Sequence, residues 1–459
     1  MSGIAEVLHS LGYSVTGSDV AVSESLERLR ARGVAVAIDH RAENLGDADL
    51  VVVSSAIDRL NPEVAAARER AIPVVHRADM LAALMRSARA IAVSGTHGKT
   101  TTTALIAHVL CGAGMDPTVI NGGVCRAHGS NAWLGRGEWM VVEADESDGT
   151  FLDLPATVAV ITNIDAEHLD HYYSFTRLRA AFEQFMRHIP PSGFATACID
   201  DEEVRAMIPR IDGRRVVSYG LSAEADVRAE HIRFEGSQAD FDVVIRDRRR
   251  ERRLAIERLR LPMAGGHNVQ NALAAIAVGY ELGLSAGALR SSLARFPGVK
   301  RRFTRIGESH GITIVDDYAH HPVEIAAVLE AARMATAGRV IAVLQPHRYH
   351  RLARLFEGFC RCFDRADAVI VADVYAAGEA PIEGVDRDTL VEGLRRVGHP
   401  QALPLSDPES LPARLMSVAG PGDLVVCLGA GSITRWAAKL PRQLDELGAR
   451  HRPAKLTKT

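Results

Sequence analysis

No stretch of this 459-residue sequence approaches the ~20 consecutive apolar residues that a membrane-spanning helix requires, and no basic segment followed by an apolar run opens it. A membrane span and an export signal are therefore not expected, and the reading is a cytoplasmic protein. Cysteine is scarce and scattered. Cys111, Cys125, Cys198, Cys360, Cys362 and Cys427 form no CxxC pair, which argues against a disulfide framework, a zinc cluster or a redox helix and predicts reduced, mostly structural thiols. An excess of one charge sign is missing too: 54 Lys and Arg stand against 57 Asp and Glu, for a formal charge of -3. Without an overall basic field the chain is not expected to hold a nucleic-acid backbone. A complete GxGxxG is absent, since GAGS after DLVVCL and the SGIAEVL segment hold only fragments of it, which weakens a dinucleotide-dependent dehydrogenase. There is no internal repeat and no low-complexity segment.

What is present is length for about three domains and a repeated alternation of strand-like and helix-like runs. From residue 13 to about 87, VTGSD, VAVAI, ADLVVVSS and IPVV alternate with SESLERLRARG and NPEVAAARERA, which predicts a parallel sheet. A second unit opens with AIAV, a glycine-rich turn and an amphipathic helix carrying Leu105, Ile106, Val109 and Leu110 at helical spacing. It continues to about residue 300, and antiparallel strands are expected from 195 to 261. From 301 onward GITIVDD, RVIAVLQ, DAVIVAD and DLVVCLG alternate with helices such as HPVEIAAVLEAARM, which predicts a Rossmann-like third unit. The basic stretch 246–260, with Arg248, Arg249, Arg250, Arg252 and Arg253 interrupted by Glu251, is read as a solvated antiparallel hairpin in preference to a nucleic-acid patch. FDVVI and LAIERLRL on its flanks alternate as strands do. The tail RHRPAKLTKT is expected to be disordered.

The strongest chemical signal is Gly95-Thr96-His97-Gly98-Lys99-Thr100, set between a buried strand and a helix. Backbone N–H groups of such a turn and the helix N-terminus cradle phosphates, Lys99 reaches the terminal ones, and the Thr100 hydroxyl reaches a magnesium ion. The spacing departs from the general phosphate-loop pattern, which wants glycine where Val93 stands. MVVEADESDG ends a strand in Glu143 and releases Asp145, Glu146 and Asp148 into the next loop, where four neighbouring acids repel unless a cation sits among them. VAVITNIDAEHLDH is a further buried strand, ending in Asn163, Asp165, Glu167, His168, Asp170 and His171. Its oxygen ligands, without a cysteine cluster or HExxH, suit magnesium better than zinc, and His171 is read as a cap of the following helix. Such residues would bring an anionic carboxylate up to the γ-phosphate of ATP. Two unit charges about 4 Å apart cost ~4 kcal/mol at an effective dielectric near 20, nearly a thousandfold in rate. Lys99, magnesium held by Thr100, Glu143 and His168, and a nearby arginine would remove that cost.

These segments resemble the muramyl ligase family. GTHGKTTT, EADESD, TNIDAEHLD, GGHNVQNALAA, FPGVKRRF, VDDYAHHP and QPHRYHR occur in the family's order from residue 95 to 351, no two of them adjacent. The resemblance implies an α/β fold in three domains: 1–87, a Rossmann-like UDP-sugar-binding domain truncated at its first strand; 88–300, a central phosphate-loop ATPase with an antiparallel insertion; and 301–459, a Rossmann-like domain that closes over an amino acid. DDYAHHP, QPHRY, VYAAGEAPIEG and the opening MSGIAEVLHSLGY imply L-alanine as that amino acid. The implied reaction joins it to the lactyl carboxylate of UDP-N-acetylmuramate through an acyl phosphate, with ATP and Mg2+ consumed or required and ADP and phosphate released, by a monomer or homodimer.

By the same resemblance Gly95, Thr96, His97, Gly98, Lys99, Thr100 and Thr101 would hold the ATP phosphates, and Glu143 and His168 would ligate magnesium. His267, Asn268 and Asn271 would contact the adenine side, although Asn268 also reads as a helix N-cap. Arg302 would reach the γ-phosphate and Asp317 the nucleotide. Tyr318, His320, Arg348 and Arg351 would line the alanine pocket, where a guanidinium clamps a carboxylate through paired hydrogen bonds. Two departures from the family's pattern stand out, beside the lack of the lysine that sibling ligases carbamylate. The chain begins inside the family's glycine-rich turn, retaining Gly3, which is read as a start codon assigned too late. Glu167 replaces the usual aspartate, and HYYSFTRLRAAF offers Arg177 and Arg179 but no lysine to be carbamylated. Two alternatives remain in view, a recycling ligase that attaches an intact tripeptide and an ATP-binding regulator without turnover. EADESD and QPHRYHR argue against the first.

Overall fold

Short, half-polar strands give small sheets, and unbroken apolar strands give large buried ones; this chain has both. The computed structural model describes residues 1–450, so positions 451–459 of the tail read as disordered lie outside the described residues. Internal packing divides the chain into a first unit, residues 1–230, 242–259 and 270–297, and a second, residues 231–241, 260–269 and from 298 onward.

The first unit opens with β1 (Thr16–Asp19) and β2 (Ala35–Ile38), paired in parallel around the helix Glu24–Ala31. Next come β3 (Val51–Val53) and β4 (Val74–His76), also parallel, around the helix Pro62–Glu69. Side-chain caps fix both helix starts: Ser23 accepts from the Leu26 N–H and Asn61 from those of Glu63 and Val64. The single parallel sheet expected over 13–87 is thus two separate two-stranded sheets. Strands of three and four residues with no fully buried position give a wider sheet little to be built on.

The large sheet uses β5 (Arg89–Ser94), β6 (Thr118–Cys125), β7 (Ser130–Trp133), β8 (Trp139–Glu143), β9 (Val158–Ile161), β10 (Phe194–Cys198) and β11 (Val216–Gly220) in the order β7-β6-β8-β5-β9-β10-β11. All these pairings are parallel except β6 with β7. The apolar runs of β5, β8 and β9 are buried between helices, which the near-continuous hydrophobicity of AIAV, WMVV and VAVI requires. The antiparallel reading of 195–261 is corrected in its first part: β10 pairs in parallel with both β9 and β11. The short helix Glu202–Met207, capped by Asp201, lies between β10 and β11 in the chain and returns it for a parallel crossover. Only β12 (Val227–Glu235), β13 (Gln238–Asp247) and β14 (Arg252–Leu261) form the expected hairpins, the first turning through Gly236 at φ 56°. The helix Ser2–Ser10 is tied to β7 by the buried Glu6, which accepts from the Ser130 hydroxyl at 2.9 Å and pairs with Arg32 at 2.7 Å.

The second unit holds a six-stranded sheet of β15 (Thr304–Ser309), β16 (Ile312–Asp317), β17 (Val340–Leu344), β18 (Ala368–Ala372), β19 (Ala402–Leu405) and β20 (Leu424–Leu428), ordered β15-β16-β20-β17-β18-β19. Only β15 with β16 is antiparallel. One apolar core takes the helices Pro322–Ala335, Phe356–Arg361 and Arg387–Arg396, and a second takes Leu411–Val418 and Ile433–Arg450. Because β20 lies between β16 and β17, the chain changes direction across the sheet there, and side chains at the carboxyl ends of these strands face the crevice that such sheets use for ligands. All six cysteines are free, five of them buried. Among the described residues no helix is long and apolar enough to cross a membrane.

Candidate active site

In the first unit the loop between β5 and the helix Lys99–Gly112 is held by the segment after β9. The Thr96 N–H donates to the Asn163 carbonyl at 3.0 Å and the His97 N–H to Asn163 Oδ1 at 2.7 Å. The Thr162 hydroxyl and Asn163 Nδ2 both donate to the His97 carbonyl, at 2.6 and 3.1 Å, and the Asp165 N–H returns a bond to Thr96 Oγ1 at 2.8 Å. Gly95 and Gly98 adopt φ 132° and 82°, and a Cβ on either would meet Thr162 Oγ1 at 2.1 Å or Asn271 Oδ1 at 2.7 Å. Only glycine fits both the backbone conformation and the space. The first-turn N–H groups of the following helix and this loop form an anion cradle.

Lys99 Nζ donates to the carbonyls of Gly95 (2.6 Å) and Thr96 (3.1 Å) and pairs with the fully buried Glu146 at 2.9 Å. Burial pulls its pKa down, but the carboxylates of Glu146, Asp145 and Glu143 outweigh that and raise it, so the ammonium is kept charged. Glu143 accepts from the Thr100 hydroxyl at 3.2 Å and from the Gly122 N–H at 2.7 Å. His168, at φ 56°, places Nε2 3.7 Å from Glu146. Three of the four acids, Glu146, Asp145 and Glu143, act on the charge of Lys99, and each acid also has fixed partners of its own. Asp145 meets Arg77 at 3.4 Å and accepts from the Ser147 N–H, while Asp148 accepts from the Thr150 N–H and hydroxyl. The Thr100 hydroxyl and Glu143 carboxylate, which touch, suit a hard cation such as magnesium, whereas the partner of His168 is Glu146 rather than either of them. Thr101 is buried behind the loop, and Asn271 accepts from the Thr102 hydroxyl at 3.0 Å.

One reading of this region is corrected. His171 does not cap a helix: it lies inside the one-turn helix Leu169–Tyr172, against Gly149, and Ser174 caps the next one. Gly122 and Glu146 were not among the predicted site residues. The glycine pair that interrupts the apolar strand TVINGGVC was the available signal for Gly122, since glycine inside a strand marks close approach of another group.

The second unit gathers the remaining predicted residues. Asp317 ends β16 and accepts from the N–H groups of Phe303 (2.6 Å) and Ala319 (2.8 Å). Burial pushes its carboxyl up to about 6, against the charge of Arg302. Arg301 and Arg302 stand 4.6 and 5.3 Å from the Tyr318 ring centre. His320 donates from Nδ1 to the Tyr318 carbonyl at 3.0 Å, and its ring lies 5.8 Å from His347, which stacks on Tyr375. Arg348, at φ 72°, donates to Glu379 at 2.5 Å, and Arg351 donates to His347 at 3.4 Å. The Arg348–Glu379 pair means that this guanidinium already has a carboxylate partner. His267 is partly buried, and desolvation lowers its pKa to about 4, with the charge of Arg302 adding to the effect. Asn268 is corrected as an N-cap: it lies within the helix Gly266–Glu281 and its amide donates to the Ala264 carbonyl at 2.7 Å.

Three family models match the chain: the Mur ligase family catalytic domain over residues 1–89, the Mur ligase middle domain over 93–279 and the Mur ligase glutamate ligase domain over 301–431. The UDP-N-acetylmuramate--L-alanine ligase of Gluconacetobacter diazotrophicus is 61% identical over 97% of this chain and 93% of its own length. Among solved structures, a UDP-N-acetylmuramate-alanine ligase of Thermotoga maritima superposes with a TM-score of 0.82 at 29% identity, covering 98% of this chain and 97% of the other. A murein peptide ligase of Psychrobacter arcticus superposes with a TM-score of 0.69 at 25% identity, covering 97% and 96%.

Proposed function

The chain belongs to the Mur ligase family, and from that premise we propose that it is an ATP-dependent ligase joining L-alanine to the lactyl carboxylate of UDP-N-acetylmuramate, with release of ADP and phosphate, in peptidoglycan precursor synthesis. The observation that carries the choice within the family is the 61% identity over 97% of the chain to an L-alanine ligase, set against 25% to a murein peptide ligase. The domain roles follow the sequence reading: 1–87 for the UDP-sugar, 88–300 for ATP, 301–459 for the amino acid, in a cytoplasmic protein.

Forming an amide from a free carboxylate is uphill in water, so the carboxylate is first phosphorylated and alanine's neutral amine then displaces phosphate. Residues 95–101 bind the ATP phosphates through backbone N–H groups, and Lys99 exchanges its contact with Glu146 for the terminal phosphates. Thr100, Glu143 and His168 would hold magnesium. When bound, the ion supplies positive charge that neutralises the phosphate oxygens. Arg302 meets the γ-phosphate, Asp317 the nucleotide, and His267, Asn268 and Asn271 the adenine side. Tyr318, His320 and Arg351 line the alanine pocket. Arg348 belongs there as well, its guanidinium oriented by Glu379.

The test is phosphate release by the purified chain with ATP, magnesium and UDP-N-acetylmuramate, comparing L-alanine, an intact muramyl tripeptide and neither. Release only with L-alanine is the expected result. Release only with the tripeptide would move the chain to the recycling reaction, and release with neither would defeat the ligase reading.

A further inference from the structure

The arginine run at the β13–β14 turn has no part in this chemistry, yet it borders a cavity of about 300 Å3 in the first unit. The walls come from β11, β12, the end of β13 and the C-terminal end of the helix Gly266–Glu281. Val217, Val227 and Ile245 make an apolar floor, all of them buried. Above the floor the side chains are charged, and the acids among them are engaged. Asp226 accepts from the Ser218 N–H (3.0 Å), the Ser218 hydroxyl (2.8 Å) and Arg248 Nε (2.6 Å). Asp247 accepts from the N–H groups of Arg249 and Arg250, the Arg250 guanidinium (3.1 Å) and the Tyr280 hydroxyl (2.9 Å). Glu281 is paired with Arg215.

Arg246 and Arg249 are left over: both are exposed, both line the cavity, and neither guanidinium has a carboxylate partner among the described residues. Two free planar forks beside an apolar floor recognise a ligand with an anionic head and an uncharged body. A guanidinium presents paired donors that match phosphate geometry, and desolvated apolar walls favour an organic group over bulk water. We propose that this cavity is a binding site for a small organic phosphate, separate from the phosphate loop. The run that reads as a solvated hairpin in the sequence would then supply the anion-binding rim.

Calorimetric titration of the full chain with phenyl phosphate tests this, alongside inorganic phosphate, in the wild type, Lys99→Ala and Arg246→Ala/Arg249→Ala. The expected result is that phenyl phosphate binds Lys99→Ala as it binds the wild type and binds the double variant about tenfold more weakly or worse. Inorganic phosphate should bind more weakly than phenyl phosphate. Binding lost in Lys99→Ala and retained in the double variant would overturn the proposal, because the phosphate loop would then be the sole site. Equal binding of the two probes would overturn the organic part of it. Arg246→Lys/Arg249→Lys keeps the charge and removes the paired donors, so it should also weaken phenyl phosphate; wild-type affinity there would refute the guanidinium role. Alanine-dependent phosphate release without added phosphate ester is expected to be unchanged in the double variant, so failure here leaves the ligase reading untouched.

Discussion

Gly122→Ala tests how Glu143 is positioned without altering Glu143 itself. A Cβ at position 122 would lie 2.6 and 2.7 Å from the two carboxylate oxygens of Glu143, and the Gly122 N–H donates to that carboxylate at 2.7 Å. Position 122 is not among the glycines with positive φ, so the backbone accepts alanine without strain. What must yield is the far end of the Glu143 side chain. The fold therefore loses only ~1 kcal/mol or less, a shift of a few degrees in Tm. The carboxylate, however, leaves both the Gly122 N–H and the Thr100 hydroxyl at 3.2 Å. A hydrogen bond to a charged group contributes ~1.5–3 kcal/mol, which is about ten- to a hundredfold in rate. Alanine-dependent phosphate release should fall by that factor, and the magnesium concentration giving half the maximal rate should rise. A variant with wild-type rate and wild-type magnesium dependence would refute the positioning role.

Three further outcomes are expected. Glu146→Gln keeps the shape of the buried partner of Lys99 and removes its charge, leaving a cation short of compensation; a loss on the order of 3 kcal/mol should appear as a lower denaturation midpoint, and an unchanged midpoint would show that the pair does not hold the loop. Gly98→Ala forces a side chain into φ 82° and against Asn271 at 2.7 Å, so stability should fall by ~1–2 kcal/mol and ADP should bind more weakly by calorimetry, a normal ADP affinity counting against the cradle. Asp317 is raised from 3.8 to about 6 by burial, so its ionised form is disfavoured in the folded state: the penalty is absent below about pH 4 and complete above about pH 6, on the order of 3 kcal/mol. Asp317→Asn should therefore gain on the wild type as pH rises from about 4 to about 8 in chemical denaturation, and a pH-independent difference would refute that assignment.

Local signals carried the sequence reading furthest. The β5-loop-helix unit was legible because an apolar strand, two glycines and a lysine lie within one contiguous stretch, and the loop geometry depends on those glycines directly. The Rossmann-like second unit was legible for the same reason, strand by strand. The pairing of β10 and β11 was not, since whether two neighbouring strands run parallel depends on what the six-residue helix Glu202–Met207 does between them, and EEVRAM is too short to show a period. Asn268 was misread because Asn before an apolar run resembles a cap, while the helix had already begun at Gly266. Gly122 escaped because its effect lies in a tertiary contact with β8, 21 residues on.

In the acidic loop the structure adds partners that the sequence did not show. Four acids within six residues suggested a cation among them, and the protein supplies the Lys99 ammonium, on which Glu146, Asp145 and Glu143 all act; each acid has further partners, Arg77 and the Ser147 N–H for Asp145, the Thr150 N–H and hydroxyl for Asp148, and the Thr100 hydroxyl and Gly122 N–H for Glu143. Repulsion among the acids is thus offset by fixed groups of the protein. Glu146 is fully buried, and its backbone carbonyl accepts from the Tyr172 hydroxyl at 2.6 Å. On the proposed function, an entering phosphate would compete with Glu146 for Lys99, and the added negative charge is what magnesium would balance. Chelation should abolish turnover while leaving the Tm of the nucleotide-free chain within about 2 °C of its value with magnesium, less than ~1 kcal/mol. Magnesium should raise the Tm only when ADP or ATP is also present. A substantial magnesium-dependent rise in Tm without nucleotide would mean that the acids hold a metal ion in the resting protein, and that Lys99 and their other partners are not sufficient.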